Sequence, residues 1–221
     1  MKTSLKLCLL LPILICIQSV ASRAQTVSNH QDADCGLTID RSRQRDLTSY
    51  KPLIAAYSQR HYGEHTWQLD PQAIILHYTV SKGFPWNLVN TDAFAKETPG
   101  LSVHYVIQED QIWQIIPDTV RSRGAYGINH RAINIELVAM NAADLAQKKK
   151  TLAQAAALTH CLMQRYQIPL KKVYSHQQVS TMDTTIVPEA LDLLYPEPYH
   201  KIDPGEANMQ TIKSLIQKQS L

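Results

Sequence analysis

The sequence predicts an α/β fold in which a mixed central β-sheet is flanked by helices. Three observations support this prediction: short apolar runs rich in Ile, Val and Tyr occur between turn residues, one long segment repeats its apolar residues at helical spacing, and the last residues also have a helical pattern. Strands interspersed with helices are typical of a sheet with helices packed against it. A chain of 221 residues is long enough to bury such a core in one domain.

Three strands are predicted in the first half of the chain. The sequence AIILHYTV at 73–80 is a short apolar run between an Asp-Pro pair and Ser-Lys-Gly, which is typical of a buried strand. The sequence SVHYVIQEDQIWQIIP then predicts strands at Ser102–Ile107 and Ile112–Ile116, which a tight acidic turn joins.

Two further strands follow in the sequence. Ala132–Met140 alternates in character, with its isoleucines on one face and Glu136 on the other. Glu136 is therefore expected to point away from the most apolar side of the sheet. A short strand in KKVYSH ends at His176, where a loop begins.

The helical segments lie in the second half of the chain. Apolar residues recur at helical spacing from Asp144 to Gln167, which predicts one long amphipathic helix that Pro169 ends. Lys148–Lys150 fall in its first turns and are expected on a solvated face. A Pro-rich loop is predicted from Gln177 to Gly205, and a final helix from Glu206 to Gln219.

The N-terminus has the three-part layout of a secretory signal. Lysines at 2 and 6 precede an apolar run of 11 residues from Leu7 to Ile17, and small residues follow up to position 24. We therefore assign residues 1–24 to a signal peptide and expect an exported protein, either periplasmic or secreted. A membrane span needs roughly 20 apolar residues, so no transmembrane span is expected in the mature chain.

Two further interpretations concern the region around this signal. A lipid anchor on Cys16 is the alternative, but Ile15 precedes this cysteine, where lipid-modified cysteines normally follow a small residue. Residues 25–45 are polar and aperiodic and are interpreted as a mobile leader. This interpretation places the catalytic domain at residues 46–221.

The charge of the mature chain argues against two classes of partner. The full sequence has a formal net charge of +3, and loss of the signal removes Lys2, Lys6 and Arg23 but no acidic residue, which leaves 0. No basic field then remains for nucleic acid or for an anionic membrane surface.

Two of the four cysteines leave with the signal, so Cys35 and Cys161 are the only pair in the mature chain. Export permits a disulfide, but nothing in the sequence brings these residues together. Cys161 lies within the helical pattern and is interpreted first as a small buried apolar residue. The sequence leaves open whether the two cysteines pair.

The ionisable residues offer few recognisable signatures. The sequence has no Gly-rich phosphate loop, no G-x-S-x-G elbow and no H-E-x-x-H helix. His77, His176 and Asp203 supply two imidazoles and a carboxylate, a donor set typical of catalytic zinc sites. Their separations alone are not specific, and a lone histidine in a buried strand, such as His77, is more often a satisfied core residue.

Five segments occur in an order that resembles a known family. They are IILHYT at 74–79, SVHYVIQEDQIWQII at 102–116, NHRAINIELV at 129–138, VYSH at 173–176 and KIDPG at 201–205. Together they resemble the zinc-dependent N-acetylmuramoyl-L-alanine amidases of the type 2 family, relatives of the peptidoglycan recognition proteins. The resemblance covers residues 70–215 and implies that family's fold, a Zn²⁺ cofactor and a peptidoglycan or muropeptide substrate.

The resemblance also implies roles for five residues. His77, His176 and Asp203 match the family's zinc ligands. Glu136 matches the glutamate that activates the attacking water, and Lys201 matches the lysine that stabilises the developing oxyanion. These residue types suit those roles, because a carboxylate can carry a proton to the leaving amine and a cation can balance negative charge in the tetrahedral intermediate.

Four more residues are candidates for the substrate-binding region. His104 falls in a strand motif of the family and is expected to line the site or to pack near it, because the three ligand positions are already filled. Asn129, Arg131 and Trp113 are candidates for contacts with substrate.

The largest departure from the family is the separation of the last two ligands along the chain. Asp203 lies 27 residues after His176, a separation longer than is usual in the family, which indicates an insertion within residues 177–202. Asp183 has a more usual separation but lacks the preceding lysine and the Pro-Gly turn, so Asp203 is favoured. We expect the insertion to form a wall of the substrate groove, and deletion of residues 184–198 to leave zinc content intact.

Two functions are compatible with these residues. The favoured one is an exported zinc amidase that hydrolyses the amide between N-acetylmuramic acid and L-alanine in peptidoglycan. The alternative is a peptidoglycan-binding module on the same fold that has lost metal and catalysis. All the ligand and catalytic candidates are present, which favours the enzyme.

Overall fold

A six-stranded mixed sheet organises residues 35–86, 97–191 and 199–219, the part of the chain that this computed structural model describes. The strands are β1 Ile39–Asp40, β2 Ala73–Tyr78, β3 Tyr105–Gln108, β4 Gln111–Gln114, β5 Ala132–Leu137 and β6 Val173–Ser175. They lie in the order β1-β4-β3-β5-β2-β6. Only the β3–β4 hairpin is antiparallel, and the other four pairings are parallel. The predicted mixed sheet is therefore confirmed.

Helices flank this sheet, as the sequence predicts. They are α1 Leu47–Tyr62, α2 Ala142–Gln147, α3 Lys149–Tyr166, α4 His176–Ser180 and α5 Glu206–Gln219, with a 3₁₀ turn at Leu170–Lys172. The final helix has the predicted bounds. Helix α4 occupies the start of the segment that was predicted to be a loop, because Ser175 and Gln178 form a capping box that begins a helix there.

The predicted single helix from Asp144 to Gln167 is divided at Lys148. The backbone of Lys148 leaves helical geometry, with φ −87° and ψ 70°. Its Nζ donates to the main-chain oxygen of Val138 at 2.8 Å and lies 3.1 Å from the Asp144 carboxylate. The prediction of a solvated face is therefore wrong for Lys148, which turns towards the end of β5, whereas Lys149 and Lys150 are exposed.

The apolar core lies on both faces of the sheet. Helices α3 and α5 bury residues such as Leu152, Leu162 and Ile212 against one face, together with the isoleucines of β5. Each such side chain contributes about 1.5–3 kcal/mol through removal of its surface from water. Helix α1 packs Tyr50, Ile54 and Tyr57 against the other face. Glu136 belongs to the second face, as its alternation with the β5 isoleucines predicts.

Residues 35–45 belong to the folded unit, so the expectation of a mobile leader does not hold for them. Ile39 and Asp40 extend the sheet by pairing with Ile112 and Trp113 of β4. A disulfide joins Cys35 to Cys161 of α3, which resolves the pairing that the sequence left open. The signal peptide assigned to residues 1–24, and residues 25–34, lie outside the described residues. In the described ranges no helix is long and apolar enough to cross a membrane.

A cluster of charged residues joins the end of α1 to the start of β5. The guanidinium of Arg121 is almost fully buried and donates to Glu64 Oε2 and to the main-chain oxygen of Gln68. Arg131 donates to Glu64 Oε1 at 2.7 Å. Burial alone would raise the pKa of Glu64, but the hydrogen bonds from these two arginines outweigh it and lower the pKa to about 2.

The disulfide is expected to stabilise the domain. It closes a chain segment with a sequence separation of 126, and a cross-link of this span removes enough freedom from the unfolded chain to contribute about 3–5 kcal/mol. Cys35 is exposed, so Cys35→Ser breaks the bridge without opening a cavity in the core. We therefore expect the free energy of unfolding of Cys35→Ser, measured in urea under oxidising conditions, to be lower than that of wild type by this amount. Equal stability of the variant and wild type, with two free thiols in wild type, would contradict this structure.

Glu64 is expected to stabilise the fold in a defined pH range. Because its folded pKa is depressed, the stabilisation is present above about pH 4.5 and is lost as the pH falls towards 2. The Glu64 side chain is about one third exposed, so we expect about 1 kcal/mol after allowance for solvent screening. In urea, the free energy of unfolding of Glu64→Gln should be lower than that of wild type at pH 6, and this difference should shrink by pH 3. Glu109→Gln, at an exposed glutamate outside this cluster, is the control, and a deficit independent of pH would refute the ion-pair interpretation.

Candidate active site

Three parallel strands bring the candidate residues to one edge of the sheet. Strand β2 lies between β5 and β6, and His77 on β2 is paired directly with Glu136 on β5. His176 is the first residue after β6. Because the carboxyl ends of parallel strands meet at one edge, residues 99 positions apart in sequence become neighbours in space.

Asp203 joins them from the loop that precedes α5. The main-chain oxygen of Asp203 accepts a hydrogen bond from the N–H of Gln177 at 3.0 Å, which ties this loop to the start of α4. The chain then turns at Gly205, which has φ +89°, and a Cβ there would lie 2.9 Å from that of Ala142. Glycine is therefore needed for the turn that directs Asp203 back to the sheet.

The donor atoms of His77, His176 and Asp203 converge on one point. The two Nδ1 atoms are 2.9 Å apart, and Asp203 Oδ2 lies 3.1 Å from Nδ1 of His176 and 3.3 Å from Nδ1 of His77. Tetrahedral zinc with bonds of about 2.0–2.1 Å holds its ligand atoms about 3.3 Å apart. The three donors therefore fit a metal ion of this kind, and all three residues are buried.

Asn134 orients the first of these histidines. His77 Nε2 lies 2.9 Å from Asn134 Oδ1, while the amide nitrogen of Asn134 donates to Ser122 Oγ. Since the amide oxygen can only accept, Nε2 carries the hydrogen and Nδ1 is left with a lone pair for a metal. Gly124 makes room for this amide, because a Cβ at Gly124 would lie 2.7 Å from Asn134 Cγ.

Asn134 was not among the residues predicted from sequence. One feature of the sequence could have indicated Asn134: it lies two residues before Glu136, so both side chains are on the same face of β5. His104 holds this position from the other side: its Nδ1 accepts the Asn134 N–H at 2.9 Å, and its Nε2 donates to the main-chain oxygen of Val120. Burial lowers the pKa of His104 to about 4, so the ring is neutral. His104 therefore packs behind the site and does not line the cavity.

The second histidine has its own outer contact. His176 Nε2 is hydrogen-bonded to the hydroxyl of Tyr199, and this hydroxyl also accepts the Tyr126 N–H at 3.1 Å. Tyr199 belongs to the inserted segment and was likewise not predicted.

The electrostatics of the three donors favour a cation at their centre. Burial alone would raise the pKa of Asp203, but hydrogen bonds with both histidines lower it well below its usual range. Burial, together with the neighbouring His77, lowers the pKa of His176 to about 4. Burial would also lower the pKa of His77, but Asp203 and Glu136 outweigh it and raise this pKa. The two acids thus favour positive charge between them.

Glu136 has a buried carboxylate oxygen at this edge of the sheet. Its Oε2 is buried and has no hydrogen-bond partner among the described residues. Burial raises the pKa of Glu136 to about 7, while His77 opposes this shift. An unpartnered carboxylate oxygen with a pKa near neutrality is suited to take up and release a proton.

A cavity of about 970 Å³ lies over these groups. It contains Glu136, His176, Lys201 and Asp203. Its other walls include Tyr57, His61, Tyr78, Val80, Glu97, Leu101, Arg123, Tyr126, Asn129, Met140, Tyr199, His200 and Ile202. The cavity is therefore large enough for a ligand of drug size and has both polar and apolar walls.

The predicted substrate contacts lie in different places. Asn129 lines the cavity, but its Oδ1 accepts hydrogen bonds from the N–H groups of Gly124 and Ala125 and so holds the loop. Arg131 lies at the opposite end of β5, in the ion pair with Glu64. Trp113 is buried against Phe84 and does not line the cavity. The structure therefore gives no support to substrate contacts by Arg131 or Trp113, because strand register directs each elsewhere.

The inserted segment contributes to the core as well as to the cavity. Val187 and Ala190 are buried with Ile75 of β2. Asp183 is exposed, and its carboxylate accepts hydrogen bonds from Thr185. Asp183 is not part of the group formed by His77, His176 and Asp203. A deletion of residues 184–198 would therefore also remove core side chains, and its expected effect on zinc content stays a prediction. Residues 192–198 lie outside the described ranges.

Comparisons with known proteins agree with this arrangement. The sequence profile of the N-acetylmuramoyl-L-alanine amidase family matches residues 67–190, more than half of the chain. The match includes His77, Glu136 and His176 and ends within the inserted segment, before Asp203. A search of curated proteins found no match.

Two solved structures have the same fold. A mutant of PlyL is 14% identical, with 82% of this chain and 99% of that chain covered and a TM-score of 0.52. The PlyG catalytic domain is 16% identical, with 81% and 96% covered and a TM-score of 0.51. Together, the profile match, the fold and the order of the site residues show that this chain belongs to the type 2 N-acetylmuramoyl-L-alanine amidase family.

Proposed function

We propose that this protein is an exported zinc hydrolase that cleaves the amide between N-acetylmuramic acid and L-alanine in peptidoglycan. The observation that carries the proposal is the convergence of His77, His176 and Asp203 at the edge of the sheet where Glu136, the strand partner of His77, has a buried oxygen without a hydrogen-bond partner among the described residues. His176, Asp203 and Glu136 line the cavity at this edge. In this proposal the two Nδ1 atoms and Asp203 Oδ2 hold the ion.

A zinc ion held by these three residues would supply Lewis acidity and would make water a better nucleophile near neutral pH. Glu136 Oε2 accepts a proton from the attacking water. It then delivers this proton to the nitrogen of L-alanine as the carbon–nitrogen bond breaks. One proton is thus moved, the amine leaves neutral, and the lactyl group retains the new carboxylic acid.

Lys201 supplies positive charge at the same place. Its side chain lines the cavity, and its charge acts on both Glu136 and His176. The Lys201 N–H donates to Ser180 Oγ at 3.0 Å, which fixes the backbone that carries it. A cation held there balances the negative charge that develops on the carbonyl oxygen of the substrate.

Export is supported by two independent features. The first 24 residues have the layout of a secretory signal. The disulfide between Cys35 and Cys161 is of a kind that persists in oxidising compartments. A periplasmic or secreted enzyme would meet peptidoglycan as its substrate, which is the cell-wall role that we propose.

Glu136→Gln tests the proton transfer. The amide is close in size to the carboxylate but cannot accept a proton, so we expect hydrolysis to fall by about 10²–10⁴-fold while zinc content is unchanged. Release of stem peptides with a free N-terminal alanine from purified sacculi measures the reaction. Equal turnover by both proteins, or no turnover by wild type with zinc bound, would refute the proposed mechanism. The second outcome would favour a binding module.

Asp203→Asn and Asp183→Asn test which aspartate holds the ion. The two changes are chemically identical, but only Asp203 contacts the histidines. We expect Asp203→Asn to lose most of its zinc, since the neutral amide is a poor ligand, and Asp183→Asn to retain one zinc per chain. Metal analysis after dialysis against a weak chelator distinguishes them. Retention of zinc by Asp203→Asn would rule out this ligand set.

A further inference from the structure

Tyr199 contacts the candidate metal centre but has no role in the proposed reaction. It lies in the segment inserted between the last two ligands, and its hydroxyl reaches the nitrogen of His176 that faces away from the metal donors. His176 Nδ1 is the atom that converges with His77 and Asp203, so Nε2 is the outer nitrogen. The insertion therefore meets the candidate metal centre through one defined atom pair.

We propose that Tyr199 is a positioning residue of the metal centre, which accepts the Nε2–H of His176 and thereby aims Nδ1 at the ion. The inference rests on the proposed function, because it assumes that zinc binds at these donors. It gives the insertion a role in metal binding in addition to its place in the cavity wall.

The hydrogen-bond inventory sets the direction of this contact. A neutral imidazole that binds a metal through Nδ1 carries its hydrogen on Nε2, and that hydrogen needs an acceptor. A tyrosine oxygen has two lone pairs. The Tyr126 N–H uses one of them at 3.1 Å, which leaves the other for the His176 Nε2–H when Nδ1 binds the ion. The ring of His176 is buried, so without Tyr199 its N–H would lose its acceptor in the described structure.

Each of the two histidine ligands has a hydrogen-bond partner for its outer nitrogen, but the two partners come from different parts of the fold. His77 donates its outer N–H to Asn134 on the neighbouring strand of the sheet. His176 starts a short helix at the end of an edge strand, and its outer partner comes from the insertion. The same tyrosine ring lies 5.5 Å from Lys201 Nζ, within the range of a cation–π contact. Tyr199 thus touches a ligand and the proposed oxyanion partner together.

Tyr199→Phe removes only the hydroxyl and keeps the ring. Loss of such an outer partner typically weakens metal binding by about 10–100-fold, and we expect that loss in zinc affinity measured by competition with a chromogenic chelator. Tyr78→Phe is the matched control, because Tyr78 lines the same cavity and its hydroxyl makes no hydrogen bond to a ligand among the described residues. We expect its zinc affinity to stay within about threefold of wild type.

A spectroscopic readout separates positioning from a general loss of structure. In zinc-loaded protein labelled with ¹⁵N-histidine, the His176 Nε2 proton should exchange slowly with solvent in wild type and faster in Tyr199→Phe. The metal-free variant should still unfold cooperatively, with only the small decrease in melting temperature that loss of the hydroxyl's hydrogen bonds causes, which shows that the variant is folded.

Each outcome has one meaning. Weaker zinc binding with faster exchange in Tyr199→Phe supports the proposal. Unchanged zinc affinity overturns it, and if hydrolysis nevertheless falls, Tyr199 acts on substrate instead. Failure of wild type to bind zinc would refute the proposed function itself, whereas failure of only the Tyr199 prediction would leave that function intact.

Discussion

The structure depends above all on the parallel pairing of β2 with β5 on one side and β6 on the other. This pairing sets His77 opposite Glu136 and places the end of β6 beside them. A shift of one residue in the β2–β5 register would turn His77 to the other face, into the apolar contacts of α3 and α5. The Ile and Leu residues that alternate with Glu136 prevent this shift, because they are buried against those helices. The apolar core therefore fixes the geometry of the polar site.

Much of this fold could be predicted from sequence because its strands carry strong local signals. The run at 73–80 and the alternation around Glu136 correspond to β2 and β5, and the last helix has its predicted bounds. The break at Lys148 could not be predicted, since it depends on a hydrogen bond to the main chain of Val138, just after β5. The inclusion of residues 35–45 was missed for the same reason, because short polar segments join a sheet through long-range pairing and a disulfide.

The residues of the candidate site also fall into those that could be predicted from sequence and those that could not. The resemblance to a family pointed to the donors and to Glu136, whose residue types and motifs are local. Their outer partners were missed, because an asparagine or a tyrosine carries no signature and acts only through the atom it meets in the fold. Arg131 is the opposite case, because it was predicted to contact substrate and the structure places it elsewhere. It lies within a family segment, but it points to Glu64 at the far end of its strand, which sequence proximity to Glu136 cannot reveal.

The buried polar groups at this site oppose folding of the chain. Glu136 has no hydrogen-bond partner for Oε2 in the described residues, and its pKa rises from 4.5 to about 7 on burial, which costs about 3 kcal/mol in alkaline solution. The donor atoms of His77, His176 and Asp203 also face one another at close range. A cation bound between these donors, as proposed above, would offset both effects, and it would bind only the folded chain because unfolding separates the donors. In the proposed enzyme, folding and metal binding would therefore be coupled: a bound ion would stabilise the domain by an amount that rises with the logarithm of its affinity, and the contact proposed for Tyr199 would contribute to stability through the metal.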